Sequence, residues 1–422
     1  MHQSGTNSIT KIYPNPSGVE RRPGPIERSS IATGSALSVV VISLLLLVAR
    51  PAFAQTETVL YNFCSLKGTC PDGAAPVSSL TSDGAGNFYG TTLVAGWTYG
   101  SYGNVFELSP NGNGGFNETT LHHFTLGADG AYPRSSVIFD NAGNLYGTAS
   151  GGGYGYGVVF QLSRVGSSWN ETALYTFTNG ADGGIPWSSL IMDSAGNLYG
   201  TTISGGPGGF GTVFELSSSG GGWIEQVIYS FDKSTLLEPS GLAMDGNGNI
   251  FGAAGFTVFE LSPNGNGGWN PSVIYTFPGK YFSIDGTPVI DKAGNIFGTI
   301  MREYKKLPGA GQVYKLSRTN NQWALQTLAS WGNGTGPRGG VVLDAAGNVY
   351  GTTVAGGSNG YGTVFKLVPQ STRYSKKVLW NFDGIDGATP LGSLILDSAG
   401  NLYGTTWAGG TQGFGAAFEV TP

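Results

Sequence analysis

The sequence is poor in the side chains on which most site chemistry is built. It has three histidines and two cysteines in 422 residues. His122 and His123 are neighbours in "TLHHFTL", where an extended chain turns them to opposite faces. A Ser–His–Asp arrangement would rest on one of them, in an outer strand expected to lie far from the loops. Cys64 and Cys70 stand in "CSLKGTC", a spacing that fits neither a CxxC redox pair nor a zinc site, and no histidines accompany them. In an exported chain such a pair reads as a disulfide closing a short loop. Basic residues are outnumbered 21 to 26 by acidic ones, so the cationic footprint that nucleic-acid binding needs is missing. No metal cluster is written in the sequence, and the "GGxGxG" runs open strands rather than helices, so they are not phosphate loops. No cofactor is expected. Helical periodicity is absent after residue 54.

Long apolar runs are also scarce. The one present, "ALSVVVISLLLLVA" from Ala36 to Ala49, falls short of the roughly 20 residues a permanent span requires. Arg21, Arg22 and Arg28 precede it, and "RPAFAQ" follows with a small-x-small pattern that places cleavage after Ala54. That is the anatomy of a secretory signal peptide over residues 1–54. No cysteine follows the run to carry a lipid anchor. The leader holds Lys11, Arg21, Arg22, Arg28 and Arg50 against only Glu20 and Glu27, so the exported part, residues 55–422, is more acidic than the whole. A secreted protein, extracellular or periplasmic, is expected, monomeric and without a membrane span.

What the chain has in excess is glycine, 72 of 422 residues, more than twice the usual share of about 7%. Aromatics at 12% argue against disorder. The glycines recur at fixed places because the chain repeats. "DSAGNLYGTT" starts at Asp193 and returns at Asp397, with looser copies at Asp83, Asp140, Asp245, Asp291 and Asp344. A period near 50 residues indicates a propeller or an array, and each period carries four short β-like runs. In the third these are "SSLIMD", "NLYGTT", "GTVFELS" and "IEQVIYSF". "D-x-x-G-N" has the chemistry of a hairpin turn, with Asp accepting backbone N–H groups and Gly taking the left-handed conformation. A calcium site is the alternative, but one carboxylate per turn cannot satisfy a six- to eight-coordinate ion.

The chain ends decide between a ring and a solenoid. The part after residue 54 opens with "TETVLYNF", a copy of the fourth strand, and closes with "GAAFEVTP", a copy of the third. Pairing the first strand into the last blade would close a circle and hide both edges; a solenoid would cap its ends instead. The expected fold is therefore all-β, a seven-bladed β-propeller of four-stranded blades. The "PVSSL", "PRSSV", "PWSSL" and "PLGSL" runs would be innermost and the "LYSF"-like runs outermost, as in NHL-type propellers.

"DGATPLGSLILDSAGNLYGTTWAGGTQGFGAAFEVTP" resembles the unit of the choice-of-anchor tandem repeat GloVer-containing proteins, a bacterial exported family, and the resemblance spans the chain after residue 54. It implies a propeller-like repeat protein and carries no catalytic residues with it. Members bear varied C-terminal sorting tails; this chain ends at Pro422 without one, so no surface anchoring through a tail is expected.

Function should sit where the repeat breaks. Loops between second and third strands are expected to share one face with the blade-to-blade connections. Those connections place Asp72, Asp129, Asp182 and Asp386 on four adjacent repeats, each in "DGA" or "DGG". The plain reading is that each shapes its own turn; the functional reading is an acidic arc facing a ligand. The fifth loop, "IMREYKKLPGAGQ", adds Arg302 and Lys305 on another sector. Tyr102, Tyr156, Phe210, Phe256, Tyr361 and Phe414 share one register and are expected to pack on neighbouring blades. Trp97, Tyr154 and Trp407 fall outside it and are ligand candidates, since flat rings beside Asp and Asn suit sugars. The expectation is a non-catalytic recognition module for an extracellular glycan or peptide. A hydrolase or lyase using the loop-face carboxylates is the alternative, and a structural matrix protein the third.

Overall fold

In the computed structural model the described residues are 55–422 apart from 67–69, 95–101, 234–238, 279–281, 285, 303–310 and 333–334; at 282, 283 and 302 only the backbone is described. Seven antiparallel sheets form the seven blades of a β-propeller, and the described residues contain no α-helix. Blade 1 is representative. Its innermost strand is Thr81–Ser82, followed outward by Phe88–Thr92, Asn104–Pro110 and Phe116–His123. In blades 3 and 5 an additional short strand, Gly184–Pro186 or Phe282–Ser283, pairs with the same second strand as the innermost one. Blade 7 takes three strands from the C-terminus and its outermost from the N-terminus: Thr56–Asn62 pairs antiparallel with Ala416–Thr421.

Each letter of "DSAGNLYGTT" has a physical task. In all seven turns the Asp Oδ1 accepts the N–H groups two and four residues on, and Oδ2 accepts the Asn amide; for Asp193 these lie at 2.9, 2.9 and 2.8 Å. Burial opposes ionisation of Asp140, Asp344 and Asp397, yet these bonds with that of the Tyr hydroxyl outweigh it and hold each below the ordinary carboxylate range. The turn Gly is left-handed, φ 87° at Gly196. In "LYGT" the Gly leaves room for an aromatic ring: a Cβ on Gly200 would sit 2.5 Å from Cζ of Phe214. The Thr after it reaches across to the next blade. Thr91, Thr148, Thr201, Thr299 and Thr405 donate to the carbonyls of Ser135, Ser188, Ser240, Gly339 and Ser78.

The core lies between blades, in seven clusters, one at each interface. At each, the aromatic ring ending one outermost strand packs on the third-strand ring of the next blade. Phe124–Phe160 and Phe177–Phe214 stand 5.2 and 5.1 Å apart, as edge-to-face pairs prefer. Between blades 7 and 1 the same contact is made by Phe63 and Phe106, 5.0 Å apart.

Candidate functional site

The connections and the second-to-third-strand loops do share one face. The connection residues Ala74, Ala131 and Ala388 bridge to Val94, Gly151 and Ala408 of those loops, and Gly127, Gly180 and Gly384 accept the N–H groups of Gly153, Gly206 and Gly410. Each "DGA/DGG" connection then crosses to the preceding blade. Ala75, Tyr132, Ile185 and Thr389, each before a proline, are left-handed at φ 54–56°, an uncommon state for any residue but glycine and most of all for the β-branched Ile185 and Thr389. Their N–H groups are held by the carbonyls of Phe414, Tyr102, Tyr156 and Tyr361.

Those four carbonyls come from the shared aromatic register. Tyr102, Phe210 and Phe256 pack partly buried against inter-blade clusters, whereas Tyr156 and Tyr361 keep exposed rings. That register thus serves packing on some blades and surface on others.

The four connection carboxylates are each engaged locally. Asp72 is fully buried and accepts Tyr61 OH at 2.8 Å and Ser65 N at 2.7 Å. Asp129 accepts Thr125 N and Oγ1 at 2.8 and 2.6 Å, and His122 Nε2 lies 3.3 Å away. Asp182 accepts Thr178 N and Oγ1 and the Tyr175 hydroxyl. Asp386 accepts Trp380 Nε1 at 2.7 Å and Asp383 N at 2.8 Å, and burial raises its pKa. The donors Tyr61, His122, Tyr175 and Trp380 occupy one register, two residues before the ring that ends each outermost strand. His122 therefore lies beside the loop face, contrary to the expectation that it would be remote, because the outermost strand runs back to that face. His123 Nδ1 pairs with Asn104 Oδ1 at 2.8 Å.

Tyr154 and Trp407 are exposed, by 75% and 46%. They are not alone. Tyr361, Ile385, Trp407, Leu66, Leu126, Tyr154 and Tyr156 form a sequence of exposed large apolar side chains from blade 6 through blade 7 and blade 1 to blade 2. Among the described residues of this face, blades 3 to 5 have no exposed large apolar side chain. Trp97, Lys305 and the side chain of Arg302 lie outside the described residues. Cys64 and Cys70 form a disulfide in the connection into blade 1.

The residue pattern, the seven-blade ring and its repeat-by-repeat chemistry meet in one finding: the Gloeobacter/Verrucomicrobia repeat model matches residues 50–255 and again 253–422. The chain belongs to the Gloeobacter/Verrucomicrobia repeat family. No curated protein matches this family member. Among solved structures it is similar to a streptogramin B lyase, 10% identical over 87% of this chain and 97% of that one, TM-score 0.56. It is similar also to a catalytically inactive virginiamycin B lyase from Staphylococcus aureus with quinupristin, 11% identical over 87% and 99%, TM-score 0.54. A protein from Lactobacillus plantarum is 14% identical over 72% and 84%, TM-score 0.51. At these identities the likeness is one of fold.

One feature of this family member was not anticipated from sequence. Where the innermost segments meet, a cavity of about 270 Å³ opens on the propeller axis, lined by residues of all seven blades. Four and five residues before each turn Asp the lining is Ser, Gly or Thr; six before, it varies. That variation inside an otherwise repetitive segment was the available signal.

Proposed function

We propose that this protein is an exported, non-catalytic recognition propeller whose loop face takes a glycan or peptide across blades 6 to 2. The observation that carries the reading is the run of exposed rings and aliphatic side chains on that sector, which a solvated scaffold does not need. Aromatic rings supply contact area to sugar faces and to peptide side chains alike. The hydrolase reading draws less support, since Asp72, Asp129, Asp182 and Asp386 are engaged by their own loops. Export over residues 1–54 belongs to the same proposal, and the Cys64–Cys70 disulfide suits an oxidising compartment.

The test is a glycan array and a peptide library, with product-release assays on every hit, followed by the Tyr154→Ala, Trp407→Ala double variant. Both residues are exposed, so the variant should keep its melting temperature and lose binding by about tenfold or more. Unchanged binding by the double variant would sink the loop-face assignment. Turnover of a hit would sink the non-catalytic one.

A further inference from the structure

The deficit of basic residues in the whole chain hides a local excess. Residues 282–381, which make blades 5 and 6, hold 11 basic side chains against the 4 acidic ones Asp285, Asp291, Glu303 and Asp344, while the rest of residues 55–422 holds 5 against 20. Asp285 and Glu303 lie outside the described residues. Even with all four acids of the sector paired, seven cations would remain, and Asp291 and Asp344 are already engaged by the N–H groups of their own turns.

The excess falls at fixed registers of the blades. On the third strands, one position is Glu107, Glu215, Glu260 and Glu419 in blades 1, 3, 4 and 7 and Gln161 in blade 2; blades 5 and 6 put Lys315 and Lys366 there. On the outermost strands, Glu57, Glu118, Glu171 and Glu225 share a register with Lys376 of blade 6. Lys377 is the direct cross-strand neighbour of Lys366, so two ammonium groups share one face of the blade, which destabilises a sheet unless an anion lies between them.

Arg318, Arg373, Lys376 and Lys377 are exposed, and Lys315 and Lys366 are half-buried. None of these six forms an ion pair among the described residues, where His122 with Asp129 is the one such contact. Four of them lie on rings: Lys315 on Phe297, Arg318 on Trp323, Lys366 on Tyr350 and Lys376 on Trp331, 5.4, 5.8, 5.0 and 4.6 Å from the centroids. Lys376 also donates to Ser330 O at 3.2 Å, one of its three N–H groups. These neutral contacts hold the stems along the wall and leave the charges without counter-charges.

A second copy of the chain is a poor counterpart, because the acids of the other blades accept hydrogen bonds in their own loops, as Asp72, Asp129, Asp182 and Asp386 do. A membrane is a poor one too. Val378 is the one exposed large apolar side chain on the described strands of this sector, too little for insertion among lipids. A linear polyanion fits better. Lys315 and Arg318 stand three residues apart on one strand, about 10 Å, and Lys366 and Lys377 about 5 Å apart at Cβ, so cations recur along the wall as charges recur along a polymer. Half-buried Trp323, Trp331 and Tyr374 lie among them and offer contact to sugar faces. Four of the six cations are lysines, whose compact, strongly hydrated ammonium pairs better with a well-hydrated carboxylate than with a sulfate ester.

We infer that the outer wall of blades 5 and 6 is a docking surface for a linear carboxylated polysaccharide, a polyuronate. It is separate from the loop-face proposal and stands or fails without it.

Titration calorimetry of the full-length exported chain with polygalacturonate tests this, against dextran, dextran sulfate, polyglutamate, duplex DNA and phosphatidylglycerol vesicles. Polygalacturonate should bind, added salt should weaken the complex, and neutral dextran should not bind. The Lys366→Gln, Lys377→Gln variant should bind polygalacturonate about tenfold more weakly and melt no lower than wild type, since a repulsive pair is removed. Arg164→Gln with Lys233→Gln removes two charges outside the sector and should leave binding unchanged, as should the Tyr154→Ala, Trp407→Ala variant. No binding of polygalacturonate overturns the inference, as does equal binding of dextran, an unaffected Lys366→Gln, Lys377→Gln variant, or an equal loss in the Arg164→Gln, Lys233→Gln variant. Binding of dextran sulfate, polyglutamate, DNA or the vesicles as tight as that of polygalacturonate would overturn the class of partner.

Discussion

The outermost strands of blades 7, 1, 2 and 3 place Glu57, Glu118, Glu171 and Glu225 in one register, six residues before the terminal ring. Each is partly buried, and each feels the carboxylate of the connection entering its own blade: Asp386 and Asp383 for Glu57, Asp72 for Glu118, Asp129 for Glu171 and Asp182 for Glu225. Burial first, and that repulsion second, push Glu57 to about 8 and Glu171 and Glu225 to about 7. For Glu118, pushed to about 7, a hydrogen bond from Thr120 partly offsets burial. One carboxylate oxygen each of Glu57, Glu171 and Glu225, and one of Asp72, is buried without a hydrogen-bond partner.

The folded state therefore holds these protons more tightly than the unfolded chain. Their contribution to stability is complete below the unfolded value of 4.5 and is lost as pH rises through 7 to 8. A fully shielded shift of this size would correspond to about 3 kcal/mol; solvent screening of half-exposed side chains reduces that to about 1 kcal/mol each. The triple variant Glu118→Gln, Glu171→Gln, Glu225→Gln should thus recover about 3 kcal/mol at pH 8.5 relative to pH 5, seen as a melting temperature that falls about 5 °C less across that range. Burial holds His122 and His123 below their ordinary range, which favours the folded state as pH rises. That opposing effect is present in wild type and variant alike, so their difference isolates the glutamates. Parallel pH profiles for the two proteins would refute the reasoning.

Deleting residues 55–63 removes the ladder from Thr56–Asn62 to Ala416–Thr421 together with buried Leu60 and Phe63. The loss is about 10 kcal/mol, comparable to a whole domain's stability, so the truncated protein should be unfolded or insoluble; a melting temperature matching the intact chain contradicts ring closure through this strand. Gly200→Ala drives a methyl into the Phe214 ring and should cost about 2 to 3 kcal/mol. Gly222→Ala, with open space around its Cβ, should be nearly neutral in the same melting assay.

The repeat made the architecture readable because most interfaces use the same letters, blade 4 with "IFGAA" being the clearest departure. "LYGTT" supplies the turn bond, the room for a ring and the cross-blade hydroxyl, so seven copies imply seven blades. The out-of-phase ends were readable for the same reason. The connection carboxylates were harder: their register is plain in sequence, but Tyr61, His122, Tyr175 and Trp380 engage them only because the outermost strand returns to the loop face. The axial Arg134 was passed over because the serines beside it mark the "PRSSV" segment as packing. A side chain's direction at the axis depends on how seven copies of that segment converge, which no single repeat reveals.

The seam in blade 7 also sets an order in time. Thr411 N–H reaches the side chain of Asn62 across 349 residues of chain, so the earliest strand to emerge during synthesis finds its partner only when the last has been made. Six blades can form from neighbouring sequence, while the seventh waits with one open edge. Closure of so long a loop is slow, and in that interval Ala416–Thr421 can accept the equivalent strand from a second copy as well as its own.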